Sequence, residues 1–112
     1  MTDEREALVF GALADPTRRS VMRLLSEHGP RSATELAGAL PITRQAVAKH
    51  LASLAEAGLV EVAVVEGREK RFRLTPAPLL DATSWIASLG AEWDERLEAL
   101  RGQLAHRGDQ TS

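Results

Sequence analysis

The chain has 112 residues, no cysteine, 44% hydrophobic residues and a formal net charge of −2. That length fits one domain with a modest buried fraction, so partnering is expected, and the missing cysteines exclude disulfide support and suit a reducing cytoplasm. The acidic, polar opening Met1 to Glu6 does not read as a signal peptide, and no apolar run approaches the roughly 20 residues of a membrane span; the expected protein is soluble and cytoplasmic, with no membrane partner.

In chain order, Leu8, Val9, Ala12 and Leu13 form an apolar helical stripe that ends at Asp15-Pro16. Asp15 caps the next helix and Pro16 opens it, since proline suits a first helical position. Val21, Leu24 and Leu25 give this second helix its buried side. Arg18 and Arg19 fall in its first turn, where they oppose the helix dipole; an acidic neighbour is their expected partner, with DNA phosphate as the alternative.

Ser32 to Leu59 reads as two short helices joined by a tight turn. Ser32, Ala33, Thr34 and Glu35 spell a capping box, in which the Ser32 hydroxyl serves the Glu35 amide and the Glu35 carboxylate reaches back. Leu36, Ala37 and Leu40 supply the buried stripe. Pro41 cannot continue that helix and Thr43 is the N-cap of the next, leaving a turn of about three residues, as a helix-turn-helix requires. In the second helix Val47, Leu51 and Leu54 share one narrow sector and must face the core. Gln45 and Lys49 then project oppositely, flanked by the small Ala48 and Ala52, with Arg44 and His50 at the two margins. Such a face suits the DNA major groove: Gln pairs bidentately with adenine, Arg or Lys bonds guanine, and residues near the helix start reach deepest. Ser32 and Thr34 are candidate phosphate contacts, although capping alone accounts for Ser32. The competing reading of Arg44, Gln45 and Lys49 is an ordinary solvated helix face.

Gly58 is a natural helix C-cap. The β-branched run Leu59 to Val65, the turn at Glu66-Gly67 and the alternation ending in Phe72, Arg73 and Leu74 then signal a β-hairpin. Its tip and return strand hold Arg68, Glu69, Lys70, Arg71 and Arg73, cations placed where a flanking phosphate backbone would lie. The bland alternative is a soluble hairpin tip, with the Arg73 stem covering core surface. Arg31 to Thr75 carries seven Lys/Arg against five Asp/Glu, whereas Pro76 to Ser112 carries three against six, and phosphate affinity follows the local balance.

From about Ala77 to His106, Trp85, Leu89, Trp93, Leu97, Leu100 and Leu104 recur at spacings of four, four, four, three and four. A helix that long extends about 45 Å, more than a small core needs. This stripe, with Leu8, Val9 and Ala12, is the expected dimer interface. The expected fold is mainly α with a small β-hairpin, a winged helix-turn-helix with a long C-terminal dimerisation helix, forming one domain over 1–106 and a disordered tail over 107–112.

Three segments, LADPTRRSVMRLL, TRQAVAKHLASLAEAGLV and EGREKRFRLTP, together make the chain resemble the bacterial ArsR/SmtB-type winged-helix repressors from about Leu8 to Leu104. The resemblance implies a homodimer that binds an inverted-repeat operator in double-stranded DNA and usually represses transcription. It also implies that Thr43, Arg44, Gln45, Lys49 and His50 match recognition-helix positions, with the wing at Gly67 to Arg71. The family's founding metal sensors place paired cysteines on the helix matching Glu35 to Leu40, or Asp and His ligands on the last helix. Here His28, His50 and His106 share no helical ligand spacing, and Asp94, Glu95 and Glu98 read as a solvated acidic edge balanced by Arg96 and Arg101. No metal and no cofactor is therefore expected, and WDERLEALRGQL looks like the subgroup without metal ligands. Induction is expected through a ligand at the dimer interface or a partner protein that alters the angle between subunits; the effector itself is not identified. The alternative function is a winged-helix protein-interaction module without DNA binding. An enzyme fits worst, because Ser20, Ser26, Ser53, Ser84 and the histidines form no nucleophile motif and no phosphate-binding glycine loop is present.

Overall fold

Capping side chains set three helix starts in the computed structural model, which describes the backbone of residues 3–111 and the side chains of residues 4–105. Helix α1 spans Asp3–Ala14 and α2 Pro16–His28; the Asp15 carboxylate between them accepts the Arg18 N–H at 3.0 Å. A two-residue strand β1, Arg31–Ser32, leads into α3, Ala33–Ala39. Both halves of the capping box form: Ser32 Oγ accepts the Glu35 N–H and Glu35 Oε1 accepts the Ser32 N–H, each at 3.1 Å. Pro41 blocks continuation, and α4, Arg44–Glu56, starts where Thr43 Oγ1 accepts the Ala46 N–H at 3.1 Å.

The end of α4 is equally specified. Gly58 takes φ +76°, the Leu59 N–H reaches back to the Leu54 carbonyl at 2.8 Å and the Gly58 N–H to Ala55 at 3.0 Å. This is a complete Schellman ending, which needs the left-handed residue that glycine supplies without a Cβ penalty. It turns the chain directly into β2, Val60–Glu66, and β3, Glu69–Leu74, joined across Gly67 at φ +59°.

The sheet has three strands in the order β1-β3-β2, all antiparallel, rather than the hairpin alone. Ser32 pairs with Arg71 and Arg31 with Phe72, so β3 lies between the hairpin's outer strand and the residue that caps α3. A bulge at Ala63 shifts the register between Val62↔Phe72 and Val64↔Arg71. The wing is thus tied to the helix-turn-helix through Ser32.

Val9, Val21, Leu36, Val47, Leu51, Leu54 and Leu59 are fully buried. The inward stripe expected on α4 is the observed one, and on α2 Met22 joins Val21 and Leu25 while Leu24 stays half-buried. Two residues expected at a subunit interface are corrected: Val9 and Ala12 are 0% and 1% exposed within a single chain, so they have no surface left for a partner to cover. Leu8 beside them is half-buried.

The chain divides into two compact units, Met1–Asp81 and Ala82–Ser112, inside the span read from sequence as one domain. The second unit is the body of α5, Ala77–Thr111. With no proline after Pro78, each added residue gains a backbone hydrogen bond, and the backbone of the segment expected as a tail stays helical to Thr111; the side chains of residues 106–112 lie outside the described ones. Trp85, Leu89, Trp93, Leu97, Leu100 and Leu104 are each 39–57% exposed on this helix. None of the described helices is long and apolar enough to cross a membrane.

Candidate nucleic-acid interface

With Val47, Leu51 and Leu54 turned inward, α4 presents Thr43, Arg44, Gln45, Ala48 and Lys49 to solvent. Thr34 is exposed on the first turn of α3. The start of α3, the start of α4 and the wing enclose a cleft of about 170 Å³ that collects Ser32, Thr34, Arg44, Arg68 and Lys70, with Ala33, Glu69 and Phe72 completing its wall. Five of the ten residues expected to contact DNA thus share one concavity, although they come from three separate stretches of chain. Thr43, Gln45, Lys49, His50 and Arg71 lie outside that cleft.

What holds each cation decides what it can do. No ion pair or side-chain hydrogen bond from a described residue engages Arg44, Gln45, Lys49, Arg68 or Lys70. Arg71 differs from the expectation of a free wing cation: its Nε lies 3.6 Å from Glu35 Oε1, and that nitrogen is buried without a hydrogen-bond partner. Arg31 approaches the same carboxylate from the other strand at 3.9 Å. The Ser32 N–H, with Arg71 and Arg31 adding to it, holds the Glu35 carboxyl below the usual carboxylate range. Arg73 pairs across the hairpin with Glu61 at 2.7 Å.

Ser32 is also corrected. It is 2% exposed and its hydroxyl serves the Glu35 amide, so it shapes the cleft from behind rather than meeting phosphate. Among the described residues neither Arg18 nor Arg19 forms an ion pair with a carboxylate: Arg19 Nη1 donates to the Leu13 carbonyl at 2.6 Å and Arg18 Nε to His50 Nδ1 at 3.3 Å, while the Arg18 charge still helps to lower the Asp15 carboxyl. His50 is accordingly half-buried at the margin of α4. Sequence reasoning missed this pair, and the double duty of Glu35, because 32 and 36 residues separate the partners and no periodicity links them. Among the described residues no three of His, Cys, Asp and Glu gather into a metal-holding group.

A helix-turn-helix whose second helix offers a polar, cation-bearing face, flanked by a hairpin tied to it through a shared strand, defines a winged helix-turn-helix DNA-binding module. Residues 13–63 match the family described as "Helix-turn-helix domain". The arsenical resistance operon repressor of Escherichia coli is 32% identical over 103 residues, covering 88% of this chain and 84% of that protein. An ArsR-like transcriptional regulator from Rhodococcus superposes with a TM-score of 0.83 at 43% identity, over 95% of this chain and 97% of the other. The homodimeric winged helix-turn-helix DNA-binding domain of a possible ArsR-family regulator from Mycobacterium bovis superposes with a TM-score of 0.60 at 27% identity, over 88% and 92%. The chain belongs to the ArsR/SmtB-type family of winged-helix transcriptional regulators.

Proposed function

We propose that two copies of this chain bind one inverted-repeat operator and repress transcription in the cytoplasm. Each subunit inserts α4 in the major groove, with Arg44 and Gln45 near its start reaching base edges and Lys49 following along the groove. Thr34 and Thr43 bond the adjoining backbone, and Arg68 and Lys70 of the wing take the flanking phosphates. The observation that carries this reading is the cleft where Arg44, Arg68 and Lys70 converge on the first turn of α3 with no acidic side chain pairing them. Phosphate sites built from side chains of several elements are how such proteins fix register before bases are read.

The exposed stripe Trp85 to Leu104 on α5 is the proposed subunit contact. Burying a large apolar side chain contributes about 1.5 to 3 kcal/mol, so several across a two-fold axis sustain a dimer. That the similar Mycobacterium bovis domain is homodimeric supports dimerisation as such. Two α4 helices then meet successive major grooves if they stand about 34 Å apart.

Mobility shifts against a duplex selected from random-sequence DNA test the reading. Lys49→Ala is expected to weaken binding to all sequences and to reduce the salt slope by about 1 per subunit. Gln45→Ala is expected to lose about 1 to 3 kcal/mol of discrimination between selected and random duplex. Salt-independent binding, or none at low salt, would leave the protein-interaction module as the surviving function.

A further inference from the structure

The contact between Arg18 and His50 joins the first turn of α2 to the middle of α4, and neither residue is used in the reading above. Arg18 Nε donates to His50 Nδ1 at 3.3 Å. A guanidinium has donors only and keeps its charge throughout. The ring nitrogen facing it is therefore the bare acceptor, and the single proton of the neutral imidazole sits on Nε2. Arg18 is itself anchored, since its backbone N–H is the donor that Asp15 Oδ1 accepts at 3.0 Å. That hydrogen bond is also the main reason the Asp15 carboxyl lies below its ordinary range, with smaller pulls from the Thr17 N–H and the Arg18 charge.

The position of His50 decides what Nε2 meets. It follows the core residue Val47 by three positions, about 300° around α4, which puts it on the shoulder between the buried stripe and the outer face. Arg44, three positions before Val47, occupies the opposite shoulder. A helix lying in the major groove has its shoulders toward the two phosphate backbones and its outer face toward the bases.

We propose that Arg18 is a positioning residue that fixes His50 as its Nε2–H tautomer, so that this N–H donates to a backbone phosphate beside the groove occupied by α4. The inference rests on the DNA-binding reading above. A neutral donor orders the phosphate without displacing counterions as a lysine does, and it sets register without reading sequence. This gives His50 a signature distinct from that of Lys49 and of Gln45.

The test uses the full chain at pH 8, with the duplex selected by the wild-type protein and a random duplex as probes. His50→Ala is expected to bind both about tenfold more weakly, with the salt slope unchanged. His50→Gln, whose amide nitrogen lies near the Nε2 position, is expected to recover most of that loss. Arg18→Met is expected to weaken binding similarly and to cost little more when added to His50→Ala. Long-range proton–nitrogen spectra of the free protein should show Nδ1 bare and hydrogen-bonded in the wild type, and altered in Arg18→Met; these spectra also report whether each variant is folded. A protonated Nδ1 in the wild type, additive losses in the double variant, or lost discrimination in His50→Ala would overturn the inference while DNA binding stood. A wild-type chain that bound no duplex would overturn the DNA reading itself, and the phosphate contact with it.

Discussion

Glu35→Gln is expected to tighten DNA binding, although the residue touches no proposed DNA contact in the cleft. Its carboxylate lies 3.6 Å from Arg71 Nε and 3.9 Å from Arg31 Nε, and it completes the cap of α3 by accepting the Ser32 N–H. Glutamine keeps a carbonyl oxygen for that cap while removing the charge that holds the two arginines. Both arginine side chains are about a third exposed, 35% and 37%, although Arg71 Nε itself is buried, so releasing them supplies new phosphate contacts. One added contact per subunit is two in the bound dimer and steepens the slope of log K against log salt by about 1.8; if the electrostatic contribution vanishes near 1 M, binding tightens about sixtyfold at 0.1 M and about three- to fourfold at 0.5 M. Fluorescence anisotropy with a labelled random-sequence duplex, titrated across that salt range for wild type and variant, reads this directly. Thermal unfolding serves as the control for the cap. An unchanged slope in a folded variant would show that packing of the wing, and not Glu35, restrains Arg71, and the reasoning would fail.

Other consequences follow from the core, the caps and the long helix. Leu51 is 2% exposed in the inward stripe of α4, and Leu51→Ala is expected to cost about 2 to 5 kcal/mol, read as a lower urea midpoint at constant m-value. Asp15 and Glu35 both have carboxyls held below their ordinary range. Each therefore stabilises the fold above its unfolded-state pKa, a contribution lost as pH falls through the lower folded value; Asp15→Asn with Glu35→Gln is expected to flatten the decline of thermal stability between about pH 5 and pH 2. Trp93 and Leu97 are 54% and 44% exposed on α5, and alanine at both is expected to shift sedimentation toward monomer; an undiminished dimer would place the subunit contact elsewhere.

Much of the architecture was legible because it is local. The capping box, the Pro41 stop, the Thr43 cap and the Gly58 ending are each written within a few residues, and the structure forms all of them. The inward stripe of α4 was equally readable, since a periodic pattern identifies the buried face. It does not say what buries that face. Val9 and Ala12 show the difference: their spacing announces burial, but the covering surface belongs to the same chain. Strand β1 escaped because two residues are too short to display the alternation of a strand, and its pairing with β3 spans about forty residues of chain. The role of Ser32 was half legible for the same reason, its cap being local and its strand pairing distant.

The charges of the interface show why a chain of net charge −2 still suits DNA. Arg31 and Arg71 converge on Glu35, Arg73 on Glu61 and Arg101 on Glu98, so several cations are already balanced within the fold. Arg44, Lys49, Arg68 and Lys70 are left with no described acidic partner, and three of them line one cleft. Because counterion release follows the cations that reach phosphate, net charge is the wrong guide to affinity here. Four such cations per subunit give a single module only modest nonspecific binding. In the proposed function, selectivity comes from Arg44 and Gln45 at the start of α4 and from doubling those contacts in a dimer. The cross-strand pair of Ser32 with Arg71 fixes the wing relative to the capped start of α3, so in the proposed function any phosphate contact made by the wing would set the angle at which α4 meets the bases.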